Sequence, residues 1–137
     1  MILFILLLFL AFAGLCETAY LVFCRTYKMR PMCTSDGTCR LVLESKYSRL
    51  FGIHNDILGL FFYVAVLLNL ALITMRIGPM PVEFLALNAL LIGGACMSII
   101  LTVIQWKLIK HWCPWCLASA CTNWLMAGVF LVAVVGS

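Results

Sequence analysis

Four long apolar runs, separated by shorter polar segments, dominate the pattern of this chain. They cover about residues 1–24, 57–75, 82–104 and 116–136. Each run is close to the ~20 residues that an α-helix needs to cross the ~30 Å hydrocarbon core of a bilayer. Because a helix satisfies its own backbone hydrogen bonds inside lipid, the pattern predicts an all-α integral membrane protein, a bundle of four transmembrane helices.

The first run also occupies the place of a signal peptide. It is longer than the apolar region of such a peptide, no basic stretch precedes it, and no convincing cleavage site follows it. We therefore expect it to remain as a span. We expect residues 1–137 to form a single membrane domain without an attached soluble domain, because the chain ends with the fourth run.

Composition supports this class, since 66% of the residues are hydrophobic and only 10% are charged. That balance lies far outside the range of a soluble domain. The net charge of +4 reflects basic connections beside a membrane. Without a phosphate-binding loop or a nucleic-acid-binding motif, we expect no nucleic-acid partner.

The connections cover about residues 25–56, 76–81 and 105–112. With four spans, the first and third connections lie on the same face of the membrane. Four of the eight cysteines lie in them or at their edge: Cys33, Cys39, Cys113 and Cys116. The others are expected to pack in the spans as small hydrophobic side chains. They are Cys16, Cys24, Cys96 and Cys121.

The pair Cys113 and Cys116 opens the fourth run, with Pro114 suited to a first helical turn. Three-residue spacing on a helix places both sulfurs on one side, close enough to form a disulfide. Lys110 and His111 precede the pair, and with the positive helix N-terminus they favour a Cys113 thiolate. The pattern indicates a redox-active dithiol, and the alternative is a structural thiol pair or half of a zinc site.

The other pair, Cys33 and Cys39, encloses the turn-forming sequence TSDGT, which predicts an exposed, flexible dithiol. The following segment, RLVLESKYSRLFG, has apolar side chains at helical spacing. These are Leu43, Tyr47, Leu50 and Phe51. The spacing predicts an amphipathic helix on the membrane surface, within the cysteine loop 25–56. Such a helix would bring a loop cysteine over the Cys113/Cys116 pair.

Two dithiols on one face have the layout of a thiol relay. Because disulfide exchange proceeds through mixed disulfides, a mobile pair can take electrons from a partner protein and pass them to a fixed pair. A fixed pair in an apolar bundle is placed to meet a lipid-soluble electron acceptor. A quinone of the ubiquinone or menaquinone type is the candidate.

These features, in their order along the chain, resemble the vitamin K epoxide reductase family of membrane thiol oxidoreductases. The matching positions are Cys33, Cys39, Ser45, Phe51-Gly52, Asn55 and Cys113-Pro114-Trp115-Cys116. The resemblance covers nearly the whole chain and is to the prokaryotic-type, disulfide-forming members. The DsbB type of quinone-linked protein has the two cysteine pairs in the reverse order, which argues against it.

The resemblance implies a relay order. Cys33 would exchange with a separate thioredoxin-like (DsbA-type) protein, and Cys39 would pass electrons to Cys113. Cys116 would face the quinone. The function implied is a membrane thiol oxidoreductase that reduces a membrane quinone and drives protein disulfide formation.

Two polar residues gain roles from the same resemblance. Ser45 would lie near the active site, and Asn55 would hydrogen-bond a quinone oxygen. Taken alone, Ser45 is a serine in a surface helix and Asn55 is a suitable N-cap for the second span. Some family members place a further quinone-contacting tyrosine four residues after the last cysteine, and this chain has Ala120 there.

Glu17 is the one carboxylate deep within a predicted span. Ionisable groups at such depth are costly and suggest a function. Glu17 either exchanges a proton when the quinone is reduced or hydrogen-bonds an asparagine across the bundle. The candidate partners are Asn69, Asn88 and Asn123.

The basic residues and the chemistry point to opposite orientations. Of nine Lys and Arg residues, six lie in residues 25–56 and two in residues 105–112. The positive-inside rule would place the cysteines in the cytoplasm. Disulfide formation is expected on the oxidising outer face, and the resemblance favours that extracytoplasmic placement.

A different class of function is a thiolate metal site, in which the four connection cysteines bind or transport a soft metal. The five residues between Cys33 and Cys39 are more than the two to four that usually separate structural zinc ligands. We therefore favour the oxidoreductase over the metal protein and expect no metal.

Overall fold

The computed structural model describes residues 2–27, 49–50, 53–109 and 114–136. Its long helices are α1 (Ile2–Thr26), α2 (Asn55–Met75), α3 (Met80–Ile104) and α4 (Pro114–Val135). Two short strands precede α2, namely β1 (Arg49–Leu50) and β2 (Ile53–His54). Four helices are long and apolar enough to cross a membrane, which confirms the predicted four-helix membrane bundle.

The third span is longer than its apolar run predicts. After α3 the chain continues as a π-helical segment, Gln105–Ile109, and the candidate span extends from Met80 to Leu108. Residues from 105 on were predicted to form a connection because Gln105 and Lys107 are polar. In the structure Gln105 is buried, and the Lys107 ammonium lies 5.4 Å from the centre of the Trp106 ring, so both polar groups are accommodated within the helix.

The prediction of a surface helix over residues 43–51 is wrong at its C-terminal end. Arg49 and Leu50 form β1, which pairs antiparallel with β2, with Arg49 opposite His54 and Leu50 opposite Ile53. The helical spacing of apolar residues could not predict this pairing. It describes one continuous segment, whereas the strands lie on the two sides of Phe51-Gly52. The remainder of the predicted helix, residues 43–48 and 51, lies outside the described residues.

The helices pack in a ring, in which α1 and α3 each contact both α2 and α4. The core between them is apolar and consists of Leu7, Ala11, Tyr63, Val66, Leu70, Leu87, Leu91, Met126 and Phe130. Large apolar side chains also cover the outside of the bundle, for example Phe9, Phe61, Leu85 and Leu131. An outer surface of this kind suits contact with lipid tails.

Two glycines allow aromatic side chains of α2 to approach neighbouring helices closely. The Tyr63 ring lies against Gly14 of α1, where any side chain would overlap the ring. The Phe62 ring lies against Gly94 of α3, where a Cβ atom would be 2.5 Å from the ring. Small residues at such contacts are typical of packed membrane helices.

The connection between α2 and α3 is a tight turn, with positive φ angles at Arg76 (55°) and Gly78 (86°). Close to it, the Asn69 amide donates a 2.9 Å hydrogen bond to the Glu83 carboxylate. This turn lies at the end of the bundle opposite the first and third connections. The Asn69 bond therefore joins α2 and α3 far from the predicted cysteine site.

Side-chain hydrogen bonds also join α3 and α4. The buried Asn123 amide donates to the Ser98 hydroxyl at 2.8 Å. The Trp124 indole N–H donates to the Ala95 carbonyl at 3.4 Å. Because lipid offers no alternative partners for polar groups, such bonds fix the register of the two helices.

Candidate functional site

Helix α4 begins at Pro114, which confirms the helix start that the proline predicts. Cys116 therefore lies in the first turn of this helix, and its side chain is half-buried. The N-terminus of a helix carries partial positive charge and stabilises a nearby thiolate. The last cysteine of the predicted relay is thus placed at the membrane edge of a spanning helix, on the face of the first and third connections.

An aromatic pair lies beside Cys116. Trp115 of α4 packs on Tyr20 of α1, with ring centroids 4.6 Å apart and a tilt of 34° between the rings. Towards the end of α1, Phe23 and Tyr27 form a second pair with the same centroid distance. Aromatic side chains at this depth are characteristic of the membrane interface. They give this end of the bundle flat apolar surfaces.

A buried phenol lies about one turn deeper. Tyr63 of α2 is fully buried, and its hydroxyl lies 3.0 Å from the Ser119 carbonyl oxygen and 2.9 Å from the Ser119 hydroxyl oxygen. Ser119 follows Cys116 by three residues, or about 4.5 Å along the helix axis. The sequence pattern does not single out Tyr63, because a tyrosine within an apolar run is typical of a buried core.

Glu17 contacts Thr122 of α4, deeper still. Both carboxylate oxygens of Glu17 lie 3.4 Å from the Thr122 hydroxyl oxygen, and the Glu17 side chain is half-buried. The prediction of an asparagine partner is therefore wrong. Asn69 and Asn123 bond Glu83 and Ser98 instead.

Sequence spacing contained a signal for this arrangement. Polar or sulfur-containing side chains recur along α4 at three-residue intervals: Cys116, Ser119 and Thr122. Residues three apart on a helix are neighbours on its surface. A short polar track that continues from a cysteine into a membrane span is therefore a feature that sequence reasoning can find.

Asn55 is the first residue of α2, at the same end of the bundle as Cys116, and its side chain lies outside the described part of the structure. The next residue, Asp56, is buried in the first turn, where the helix dipole favours a carboxylate. Ala120 is buried and has no polar group for a ligand. The contact of Asn55 with a quinone stays a prediction.

Four predicted site residues lie outside the described residues: Cys33, Cys39, Ser45 and Cys113. Their roles stay predictions. The remaining cysteines differ from one another in burial, since Cys24 is buried whereas Cys16, Cys96 and Cys121 are exposed on the outside of the bundle. Only Cys24 therefore packs in the interior as expected for a small hydrophobic side chain.

The profile of the Vitamin K epoxide reductase family matches residues 5–131 of the chain. The matched segment begins in α1 and ends in α4, so it includes the first connection, both cysteine pairs and parts or all of every spanning helix.

Proposed function

The chain belongs to the vitamin K epoxide reductase family, and on this premise we propose that it oxidises a separate thioredoxin-like protein and reduces a membrane quinone. Family membership and the four candidate spans make it a multi-pass membrane oxidoreductase, of the thiol–disulfide class in general. The relay order, the protein partner and the use of a quinone by this chain are the proposal.

In the proposed relay, a thiolate of the reduced partner attacks a Cys33–Cys39 disulfide at Cys33 and displaces the Cys39 thiolate. The second thiol of the partner then attacks this mixed disulfide and displaces Cys33, which leaves the partner oxidised. The Cys39 thiolate then attacks the Cys113–Cys116 disulfide at Cys113 and displaces Cys116. Attack of the Cys33 thiolate on Cys39 re-forms the Cys33–Cys39 disulfide and releases Cys113, so Cys113 and Cys116 are then both thiols. When Cys113 and Cys116 re-form their disulfide, two thiols release two electrons and two protons. A bound quinone would accept these two electrons and two protons and leave as quinol.

The observation that carries the proposal is the placement of Cys116. Its side chain is half-buried in the first turn of a spanning helix, and the preceding residue, Trp115, packs on Tyr20. A flat, lipid-soluble ring fits such apolar and aromatic surroundings, because a molecule dissolved in the bilayer can reach this end of the bundle. A site for a soluble substrate would not require a thiol at this depth.

Three groups would assist at this site. The helix N-terminus favours the thiolate that disulfide exchange requires. Asn55, at the start of α2, would hydrogen-bond a quinone oxygen, and Ser45 would lie close to the reacting cysteines. Because Ala120 offers no hydrogen-bond donor, Asn55 carries this contact without a partner at that position.

We propose that the cysteine face is extracytoplasmic, where disulfide formation is favoured. The alternative is a cytoplasmic active site, which the excess of Lys and Arg in the first and third connections supports. Both orientations keep the four connection cysteines together, so the relay itself is the same in each.

The relay order is tested by giving the purified protein two different electron donors and following quinone absorbance. Cys33→Ala should abolish turnover with a reduced thioredoxin-like protein, because Cys33 is the residue that meets the partner. The same variant should retain turnover with a small dithiol that reaches the inner pair directly. Loss of activity with both donors in a folded variant would contradict this order.

A further inference from the structure

A polar cluster inside the bundle has no part in the thiol relay. It consists of Glu17 on α1, Tyr63 on α2, and Ser119 and Thr122 on α4. Placing a carboxylic acid among membrane helices is costly, and such residues commonly mark ion or proton pathways. Its two α4 residues lie on the same helix as Cys116, about one to two turns farther into the membrane.

The cluster continues inward from Cys116 along one side of α4. Ser119 and Thr122 follow Cys116 by three and six residues, or about 4.5 and 9 Å along the axis. At the level of Ser119, α2 contributes the Tyr63 hydroxyl. At the level of Thr122, α1 contributes the Glu17 carboxyl group.

Packing brings these two levels together. The Tyr63 ring lies against Gly14, which precedes Glu17 by three residues on α1. Tyr63 is the titratable group of α2 that interacts electrostatically with Glu17, and α4 faces Glu17 with the neutral Thr122. Two basic side chains are described in full. Arg76 follows the end of α2, and Lys107 lies in the π-helical segment that follows α3.

The Thr122 hydroxyl can serve as an acceptor for Glu17. Its single hydrogen is best directed at the Ala118 carbonyl oxygen, which is 2.9 Å away, whereas the Glu17 oxygens are 3.4 Å away. A lone pair of the Thr122 oxygen is then left for a protonated carboxyl group of Glu17. A neutral acid is also far less costly in an apolar bundle than a carboxylate.

We propose that Glu17 holds and exchanges a proton for the quinone reaction at Cys116, as part of the polar cluster that it forms with Tyr63, Ser119 and Thr122. This inference rests on the proposed function. In one cycle two thiols lose two electrons and two protons and the quinone gains them. Glu17 gives a proton toward the quinone and recovers one released by the thiols, so its own state is unchanged. Thr122 is a positioning residue.

The first test is infrared spectroscopy of the protein in lipid nanodiscs without a quinone. A carboxyl C=O band that shifts in D₂O should be present in the wild type and missing in Glu17→Gln. Glu83→Gln is the matched control, because Glu83 bonds Asn69 at the far end of the bundle. The Glu17 band should persist in that control.

The second test is quinone reduction by the same proteins. Glu17→Gln should lower kcat by about 10²-fold, a usual contribution of a proton-transfer group, with little change in KM. Reduction of the Cys113–Cys116 disulfide by a small dithiol, measured by thiol labelling, should be unaffected. Glu83→Gln should keep the wild-type kcat.

Thr122→Val extends the test if Glu17→Gln fails to fold. It removes the only described hydrogen-bond partner of the Glu17 carboxyl group, so the infrared band should shift rather than vanish and kcat should fall. A wild type without the exchangeable band, or a Glu17→Gln protein with wild-type kcat, would overturn the inference alone. A wild type that reduces no quinone would overturn the proposed function and this inference with it.

Discussion

The Tyr63 hydroxyl of α2 hydrogen-bonds Ser119 of α4 at both the carbonyl oxygen (3.0 Å) and the side-chain oxygen (2.9 Å). The bond crosses the bundle about one helical turn below Cys116. It fixes α2, which begins at Asn55, relative to α4, which begins beside the cysteine pair. The helices that carry the two proposed quinone-contacting residues, Asn55 and Cys116, are thus joined to each other inside the bundle.

Tyr63→Phe should destabilise the bundle by about 0.6 kcal/mol, and by no more than about 2 kcal/mol, as for other hydrogen bonds between membrane helices. The loss arises because Ser119 keeps no replacement partner from α2. Denaturation in mixed micelles, followed by circular dichroism, measures it. Tyr27→Phe is the control and should change stability by less, because Tyr27 is 65% exposed. Equal effects of the two substitutions would contradict a stabilising role for the Tyr63 bond.

Gly14→Ala should cost about 1–3 kcal/mol, because the added methyl group would overlap the buried Tyr63 ring and force the two helices apart. Gly128→Ala is the matched control, since a Cβ atom there meets nothing within 4 Å. The control should be neutral or slightly stabilising, because alanine is the better helix former. A Gly14→Ala protein as stable as the control would show that the contact is looser than described.

The Ser98–Asn123 bond should appear as coupling in a double-mutant cycle. Ser98→Ala and Asn123→Ala each remove one partner of the 2.8 Å bond, and the pair should show a coupling free energy of about 0.6 kcal/mol. Unfolding of the two single variants and the double variant in the same micelles gives this value. Strictly additive effects would mean that the bond contributes nothing to stability.

Much of the fold could be predicted because the length of an apolar run follows directly from bilayer thickness. The four runs match the four candidate spans, and Pro114 predicts the start of α4. The end of the third span was missed, because a buried Gln105 and a Lys107 that lies near Trp106 look polar in sequence. A polar residue such as Gln105 does not mark a connection when its side chain is buried.

Site residues could be predicted only where their spacing along the chain indicates their role. Cys116 follows from the Cys-x-x-Cys pattern and the helix start. The Tyr63–Ser119 contact joins residues 56 positions apart, and nothing in an apolar run shows which tyrosine will meet a serine. For Glu17, the sequence showed a buried acid and several polar candidates, but only the rotation of α1 against α4 selects Thr122.

Labelling of intact cells should decide the orientation of the cysteine face. After mild reduction, a membrane-impermeant maleimide should modify Cys33 before lysis if this face is extracytoplasmic. A variant that keeps Cys33 as its only cysteine in a connection makes the assignment unambiguous. Labelling that appears only after lysis would contradict the outward orientation and support the cytoplasmic alternative that the basic residues favour.

The most direct test of the account is quinone reduction by purified protein in which Cys116 is replaced by alanine. Cys116→Ala should lose turnover with both a reduced thioredoxin-like protein and a small dithiol, because the last step of the relay is removed. Cys121→Ala should match the wild type, since Cys121 lies on α4 with its side chain exposed on the outside of the bundle. A folded Cys116→Ala protein that still reduces quinone would contradict the relay. A wild type without turnover that holds stoichiometric zinc or copper would instead support a thiolate metal site.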